Sequence, residues 1–185
     1  ATAQMFLQSL PKRGIGVFAF DFPAHGDSPV GGERLRIETC IQDLAAAEQR
    51  AIALAPKAKV VYFSSSFGAY INFQYLAAGN GTGVKSFFRS AAVNMPELFT
   101  HPTEEEQAQL QKNGFLLLDG YARPIKLTTA FLADLADHGL FQCRRTQNTE
   151  LCMIHGERDE TILIEHAERF ALQFDIPLTI VPGGD

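Results

Sequence analysis

Segments typical of buried strands alternate with segments typical of helices along this chain, and this alternation constrains its fold more than any other feature. Residues 15–20, 60–63 and 151–154 form short, continuous apolar runs, as in strands that are buried on both faces of a parallel sheet. Between them, apolar residues recur at the spacing of helices. The sequence therefore predicts an α/β domain with a mostly parallel sheet flanked by helices.

The predicted elements can be placed by their apolar spacing and by the residues that end them. Pro56 closes the second helix, and Gly79-Asn80-Gly81 ends the third. Further strands are predicted at 87–93 and 178–181. The predicted helices cover residues 1–10, 33–54, 67–78 and 162–174.

Residues 94–148 interrupt the alternation. Within them, Thr103 and Glu106 have the spacing of a capping box that opens a polar helix. Residues 115–127 contain Asp119-Gly120 between two apolar runs, which indicates a hairpin, and 128–140 has helical spacing. We expect 94–148 to be a cap insertion over a core formed by residues 1–93 and 149–185.

Composition excludes several classes of function. The chain has 185 residues, 46% of them apolar, and carries a net charge of −5, so it lacks the cationic field of a nucleic-acid-binding protein. No run approaches the roughly 18 apolar residues of a membrane helix, and the start lacks the basic region of a signal peptide. Three scattered cysteines do not indicate a disulfide framework or a metal cage.

No motif for a cofactor or a metal is present either. The glycine-rich stretch 79–83 follows a predicted helix, whereas a dinucleotide-binding loop follows a strand. We therefore expect a cytoplasmic protein that acts on a small molecule, uses no cofactor and no metal, and binds neither nucleic acid nor membrane.

The strongest chemical signal is Ser64-Ser65-Ser66-Phe67-Gly68, which lies between a predicted strand and a predicted helix. A nucleophile elbow needs small residues two positions before and after its apex, so that strand and helix can pass closely. Ser64 and Gly68 satisfy this requirement for Ser66, whereas Ser65 would have the bulky Phe67 at the second position. The alternative is a polar strand end whose serine merely caps the helix.

These residues and two other stretches resemble the α/β-hydrolase superfamily. Residues 21–28 are similar to the family's D-x-x-G-H-G-x-S loop, with Ala24 in place of the first glycine. Residues 155–159 are similar to its H-G-x-x-D stretch, and 181–185 resemble the segment that precedes its catalytic histidine. The insertion at 94–148 lies where many members carry a cap.

The resemblance implies a role for each matching residue. Ser66 would attack an acyl carbonyl, and the backbone N–H of Phe67 would donate to the oxyanion. Asp159 would orient a histidine base, although on its own it is more typical of a loop or cap carboxylate. In the family's order of Ser, Asp and His, the base would follow Asp185, since the one later histidine, His166, lies within a predicted helix.

The resemblance also implies strands before residue 1, together with a loop that gives a second oxyanion N–H. We therefore expect these 185 residues to be an internal portion of a longer chain.

The function predicted from these residues is a serine hydrolase that cleaves a carboxylic ester through an acyl-enzyme on Ser66. Thioesterases and small-substrate peptidases use the same groups. A non-catalytic ligand-binding module or an inactive fragment is the alternative. Apolar side chains of the insertion would either line an acyl or aryl pocket or pack the cap against the sheet; the candidates are Phe115, Leu118, Tyr121 and Phe131.

Overall fold

A computed structural model describes residues 2–119, 123–144 and 149–185. Its helices and strands alternate as the sequence predicts, except at the first predicted strand. The helices are α1 (Thr2–Ser9), α2 (Ile37–Leu54), α3 (Phe67–Ala77), α4 (Glu104–Asn113), α5 (Thr129–Ala136) and α6 (Ile164–Phe174). The strands are β1 (Val61–Ser65), β2 (Lys85–Arg89), β3 (Phe115–Leu118), β4 (Ile125–Thr128), β5 (Glu150–Gly156) and β6 (Leu178–Val181).

The main sheet has four strands in the order β1-β2-β5-β6, and every neighbouring pair is parallel. This confirms the predicted fold class. In its register, Ser65 at the end of β1 pairs with Arg89 of β2, which pairs with Ile154 of β5. The carboxyl ends of these strands therefore meet at one edge, where ligands bind in open α/β sheets.

Helix α3 forms the centre of the core. Its residues from Ala69 to Leu76 are all buried, because it packs both on the sheet and under neighbouring helices. The ring centroid of Phe73 lies 4.8 Å from that of Phe170 and 4.7 Å from that of Phe174, both on α6. This edge-to-face packing holds in a fixed position the helix that begins directly after the candidate nucleophile Ser66.

The segment 94–148 contains the elements that the sequence predicts. Thr103 and Glu106 form a capping box at the start of α4, and β3 pairs with β4 as an antiparallel hairpin. The Gly120 of the predicted turn lies outside the described residues. Asp134 of α5 accepts a hydrogen bond of 2.7 Å from the backbone N–H of Ile37, the first residue of α2, and so connects the segment to the rest of the chain.

The prediction of a buried strand at 15–20 is wrong. These residues have no strand structure, and Ile15, Phe18 and Phe20 are exposed. An apolar run becomes a strand only when another strand completes its hydrogen bonds. Among the described residues, no strand pairs with 15–20, and β1 at the edge of the sheet pairs with β2 alone.

The strand predicted at 87–93 lies instead at Lys85–Arg89. Its predicted end included the apolar residues 91–93, which are buried in an irregular segment after Ser90 turns the chain with φ +43°.

Among the described helices, none combines the length and the apolar content that a membrane-spanning helix requires.

Candidate active site

Ser66 lies in the sharp turn between β1 and α3. Its φ of +50° and ψ of −122° are unusual for a residue with a side chain and cost about 1–3 kcal/mol. Backbone hydrogen bonds on both sides hold this conformation: Ser66 N–H donates to the carbonyl of Arg89 at 3.1 Å, and the Ser66 carbonyl accepts from Ala69 N–H at 3.0 Å. The strained turn is the geometry of a nucleophile elbow.

The flanking small residues have different environments. The hydroxyl oxygen of Ser64 accepts a 2.8 Å hydrogen bond from the amide nitrogen of buried Asn72, which also donates to the hydroxyl of Ser86 at 2.9 Å. A Cβ added to Gly68 would meet nothing within 4 Å. Asn72 thus connects α3 to β2 and, two residues before Ser66, to β1. In the sequence, the one sign of this buried polar contact is an asparagine among the apolar residues of a predicted helix.

Phe67 is the first residue of α3, so its N–H belongs to the helix-start donors that have no partner within the helix. The positive end of the helix dipole adds to this donor. The Phe67 side chain is surrounded by four other rings whose centroids lie 5.2–6.1 Å away; these are Phe22, His25, Tyr70 and Phe131.

Asp159 follows β5 and is held by its own loop. Its Oδ1 accepts hydrogen bonds from the N–H groups of Thr161 at 3.0 Å and Ile162 at 2.9 Å. Its Oδ2 lies 3.7 Å from Nε2 of the buried His155, which donates to the carbonyl of Ile162 at 2.7 Å. The carboxylate is therefore oriented by Oδ1, and Oδ2 is available to a further donor.

Ser66 and Asp159 line one open pocket of about 290 Å³ at the carboxyl edge of the sheet. The remaining lining residues are Arg89, Ser90, Thr161, Ile162 and Asp185. Arg89 donates from Nε to the hydroxyl of Ser65 at 3.2 Å. The sequence did not single out Arg89 and Ser90, because it predicts a strand across 87–93, whereas β2 ends at Arg89, beside the end of β1.

The family model described as serine aminopeptidase, S33, matches residues 1–113, which is more than half of the chain. The chain belongs to this family. It is thus a member of the α/β-hydrolase superfamily. Membership of this family indicates that the protein is an enzyme of hydrolase type that acts on a small molecule.

Solved structures have the same fold as this α/β-hydrolase at low sequence identity. A putative hydrolase from Agrobacterium vitis S4 is 19% identical with a TM-score of 0.80, and the match covers the whole of this chain and 75% of that one. A monoacylglycerol lipase from Paleococcus ferrophilus is 14% identical with a TM-score of 0.72, covering 99% and 79% of the two chains.

Est1E from Butyrivibrio proteoclasticus, solved with ferulic acid bound, is 18% identical with a TM-score of 0.70, covering 88% of this chain and 66% of that one. No curated protein sequence matches the chain.

Three of the predicted substrate contacts of this hydrolase lie apart from the Ser66 pocket. Phe115 is half-buried under the ammonium group of Lys126, and Leu118 is half-buried on β3. Phe131 is fully buried against the ring of Phe67. None of these three lines the pocket, and Tyr121 lies outside the described residues.

The described residues that line the pocket include no histidine. His155 lies four residues before Asp159, but its Nε2 donates to the carbonyl of Ile162. In the described part of the chain, no group of three or more histidine, cysteine or acidic residues could hold a metal ion.

Proposed function

We propose that this hydrolase cleaves a carboxylic ester through an acyl-enzyme on Ser66. The observation that carries the proposal is the strained turn of Ser66 in one pocket with Asp159. The relatives in fold support an ester as the substrate, because one is a monoacylglycerol lipase and another binds ferulic acid.

In the proposed reaction, the Ser66 hydroxyl oxygen attacks the carbonyl carbon of the ester while a base takes its proton. The tetrahedral intermediate carries a negative charge on the former carbonyl oxygen, which accepts a hydrogen bond from the Phe67 N–H. Collapse breaks the bond to the alcohol, which leaves with the proton from the base. Water then attacks the acyl-enzyme in the same manner, and the carboxylic acid and free Ser66 are released.

Asp159 would orient the base and stabilise its protonated form through Oδ2. The resemblance implies a histidine base in the segment after Asp185, and Asp185 lines the pocket together with Asp159 and Ser66. A histidine just beyond Asp185 would therefore begin its side chain beside both groups.

We further propose that residues 94–148 form the cap of this enzyme. Their contact with Phe67 through Phe131 supports this role, because it brings the segment next to the proposed oxyanion donor. Phe115, Leu118 and Tyr121 remain candidates for substrate contacts.

The test is fluorophosphonate labelling of the natural protein, followed by intact-mass and peptide mass spectrometry. We expect one adduct on Ser66, its loss in Ser66→Ala, and full labelling of Ser65→Ala, the matched control one residue away. Hydrolysis of p-nitrophenyl esters but not of aminoacyl p-nitroanilides would support an ester substrate. An unlabelled wild-type protein, or an adduct that persists in Ser66→Ala, would overturn the proposal.

A further inference from the structure

We propose that Arg123 and His25 are positioning residues that hold the oxyanion donor Phe67 in place, and that they do so from outside the pocket. This inference rests on the proposed function and deepens it. Neither residue is among those that line the Ser66 pocket.

Arg123 joins the segment 94–148 to the loop at 21–28. Its Nε donates to the carbonyl of Ala24 and its Nη2 to the carbonyl of His25, each at 3.3 Å. Two donors of one planar guanidinium therefore hold two successive carbonyls, a contact that a lysine ammonium cannot reproduce with the same geometry.

The loop that Arg123 holds is tightly folded. Ala24 has a φ of +65°, and its N–H donates to the carbonyl of Val30 at 2.8 Å, while His25 N–H donates to the carbonyl of Phe22 at 3.0 Å. A non-glycine residue with positive φ persists only when its surroundings hold it. Arg123 supplies two of the hydrogen bonds that do so.

The loop in turn fixes the ring of His25 against Phe67. The Nδ1 atom of His25 lies 2.9 Å from the carbonyl of Pro23, so Nδ1 carries the proton and the ring orientation is set. The ring stacks on Phe67 with a centroid distance of 5.2 Å and an interplanar angle of 6°. Burial lowers the pKa of His25, and a neutral ring stacks on Phe67 without a charge to desolvate.

Phe67 needs such support because it follows the strained Ser66. Its side chain and its N–H belong to one residue, so contacts that fix the ring also resist movement of the backbone that carries the N–H. Displacement of a catalytic group by about 1 Å can cost about a hundredfold in rate, and complete loss of an oxyanion donor costs about 10²–10³. Loosening the support should therefore lower kcat by less than that complete loss.

The experiment compares Arg123→Lys and His25→Ala with Arg34→Lys, a control at an exposed arginine. For each, kcat and KM are measured with a p-nitrophenyl ester, and Ki with an arylboronic acid whose tetrahedral adduct on Ser66 carries an oxyanion. We expect kcat to fall about tenfold and the boronate Ki to rise about tenfold in both variants, with KM within about twofold of wild type. Arg34→Lys should match the wild type.

His25→Phe keeps a ring on Phe67 without the bond to Pro23, so it should recover most of the kcat that His25→Ala loses. This variant also tests the inference if Arg123→Lys does not fold. An unchanged kcat in folded Arg123→Lys, or a rise in KM alone, would overturn the positioning role. A wild-type protein that takes no fluorophosphonate on Ser66 would instead refute the proposed function itself.

Discussion

Replacing Glu48 by glutamine tests how the amino end of the sheet is stabilised. Glu48 lies on α2 with only 6% of its surface exposed. Its Oε1 accepts hydrogen bonds from the Tyr62 hydroxyl at 2.8 Å and from the N–H and hydroxyl of Thr82 at 2.7 and 2.5 Å. Its Oε2 accepts from the Tyr75 hydroxyl at 2.6 Å. One buried carboxylate thus connects α2, β1, α3 and the loop before β2.

The magnitude follows from the loss of charge. A hydrogen bond to a charged group stabilises by about 1.5–3 kcal/mol and a neutral one by about 0.5–1.5 kcal/mol, so each of the three bonds that the glutamine oxygen can still accept loses roughly 1 kcal/mol. The amide nitrogen cannot accept, so it would have to donate to the Tyr75 hydroxyl instead. Burying a neutral amide instead of a carboxylate offsets part of this loss. We expect Glu48→Gln to lower the free energy of unfolding by about 2–3 kcal/mol at pH 7.

The pH dependence gives an independent check. Burial acts to raise the pKa of Glu48, but the hydrogen bonds from Thr82, Tyr75 and Tyr62 outweigh it and bring the pKa below its ordinary value of 4.5. The stabilisation is therefore present above pH 4.5 and is lost as the pH falls through the folded-state pKa. The difference between wild type and Glu48→Gln should shrink below pH 4.5.

Urea unfolding of both proteins between pH 3.5 and 7 measures this difference. Glu38→Gln, at an exposed position on the same helix, is the matched control and should change stability by less than about 0.5 kcal/mol. If Glu48→Gln is as stable as the wild type at pH 7, or if the difference grows in acid, the reasoning about this carboxylate is refuted.

Three further predictions concern the core, a thiol and the site. Phe73→Ala should lower the free energy of unfolding by about 3–5 kcal/mol, whereas Leu172→Ala, which is 85% exposed, should change it by less than about 0.5 kcal/mol in the same urea titration. Burial raises the pKa of Cys40 to about 12, so Cys40 should react with a disulfide reagent only after unfolding. Prompt reaction of the Cys40 thiol itself at pH 8 would contradict its burial. Asp159→Asn should lower kcat about 10³–10⁴-fold with little change in KM, and a kcat within tenfold of wild type would exclude Asp159 as the residue that orients the base.

Elements that are stabilised by local sequence could be predicted. The capping box of Thr103 depends on residues within a few positions of each other, and it is confirmed as the start of α4. The apolar run before Ser66 is confirmed as β1, for which β2 supplies the partner strand. The strand at 15–20 could not be judged in this way, because a strand depends on a partner that its own residues do not specify.

In the candidate site, too, local features could be predicted from the sequence and contacts between distant residues could not. The meeting of Ser66 and Asp159 at one edge could be predicted from the resemblance and from the direction of parallel strands. The contacts of Arg123 with residues 24 and 25 could not, because nothing in the local sequence pairs positions a hundred residues apart. The burial of Glu48 could not be predicted either, since a charged residue in a helix is usually exposed to solvent.

The strand order also bears on how the chain can vary. The chain leaves the sheet at Arg89 and returns at Glu150 in the adjacent strand, so the whole of 94–148 is one long connection between neighbours. The entropy cost of closing such a connection grows only logarithmically, and doubling its length costs about 0.6 kcal/mol. The proposed cap can therefore be lengthened, shortened or exchanged at small thermodynamic cost while β2 and β5 stay paired.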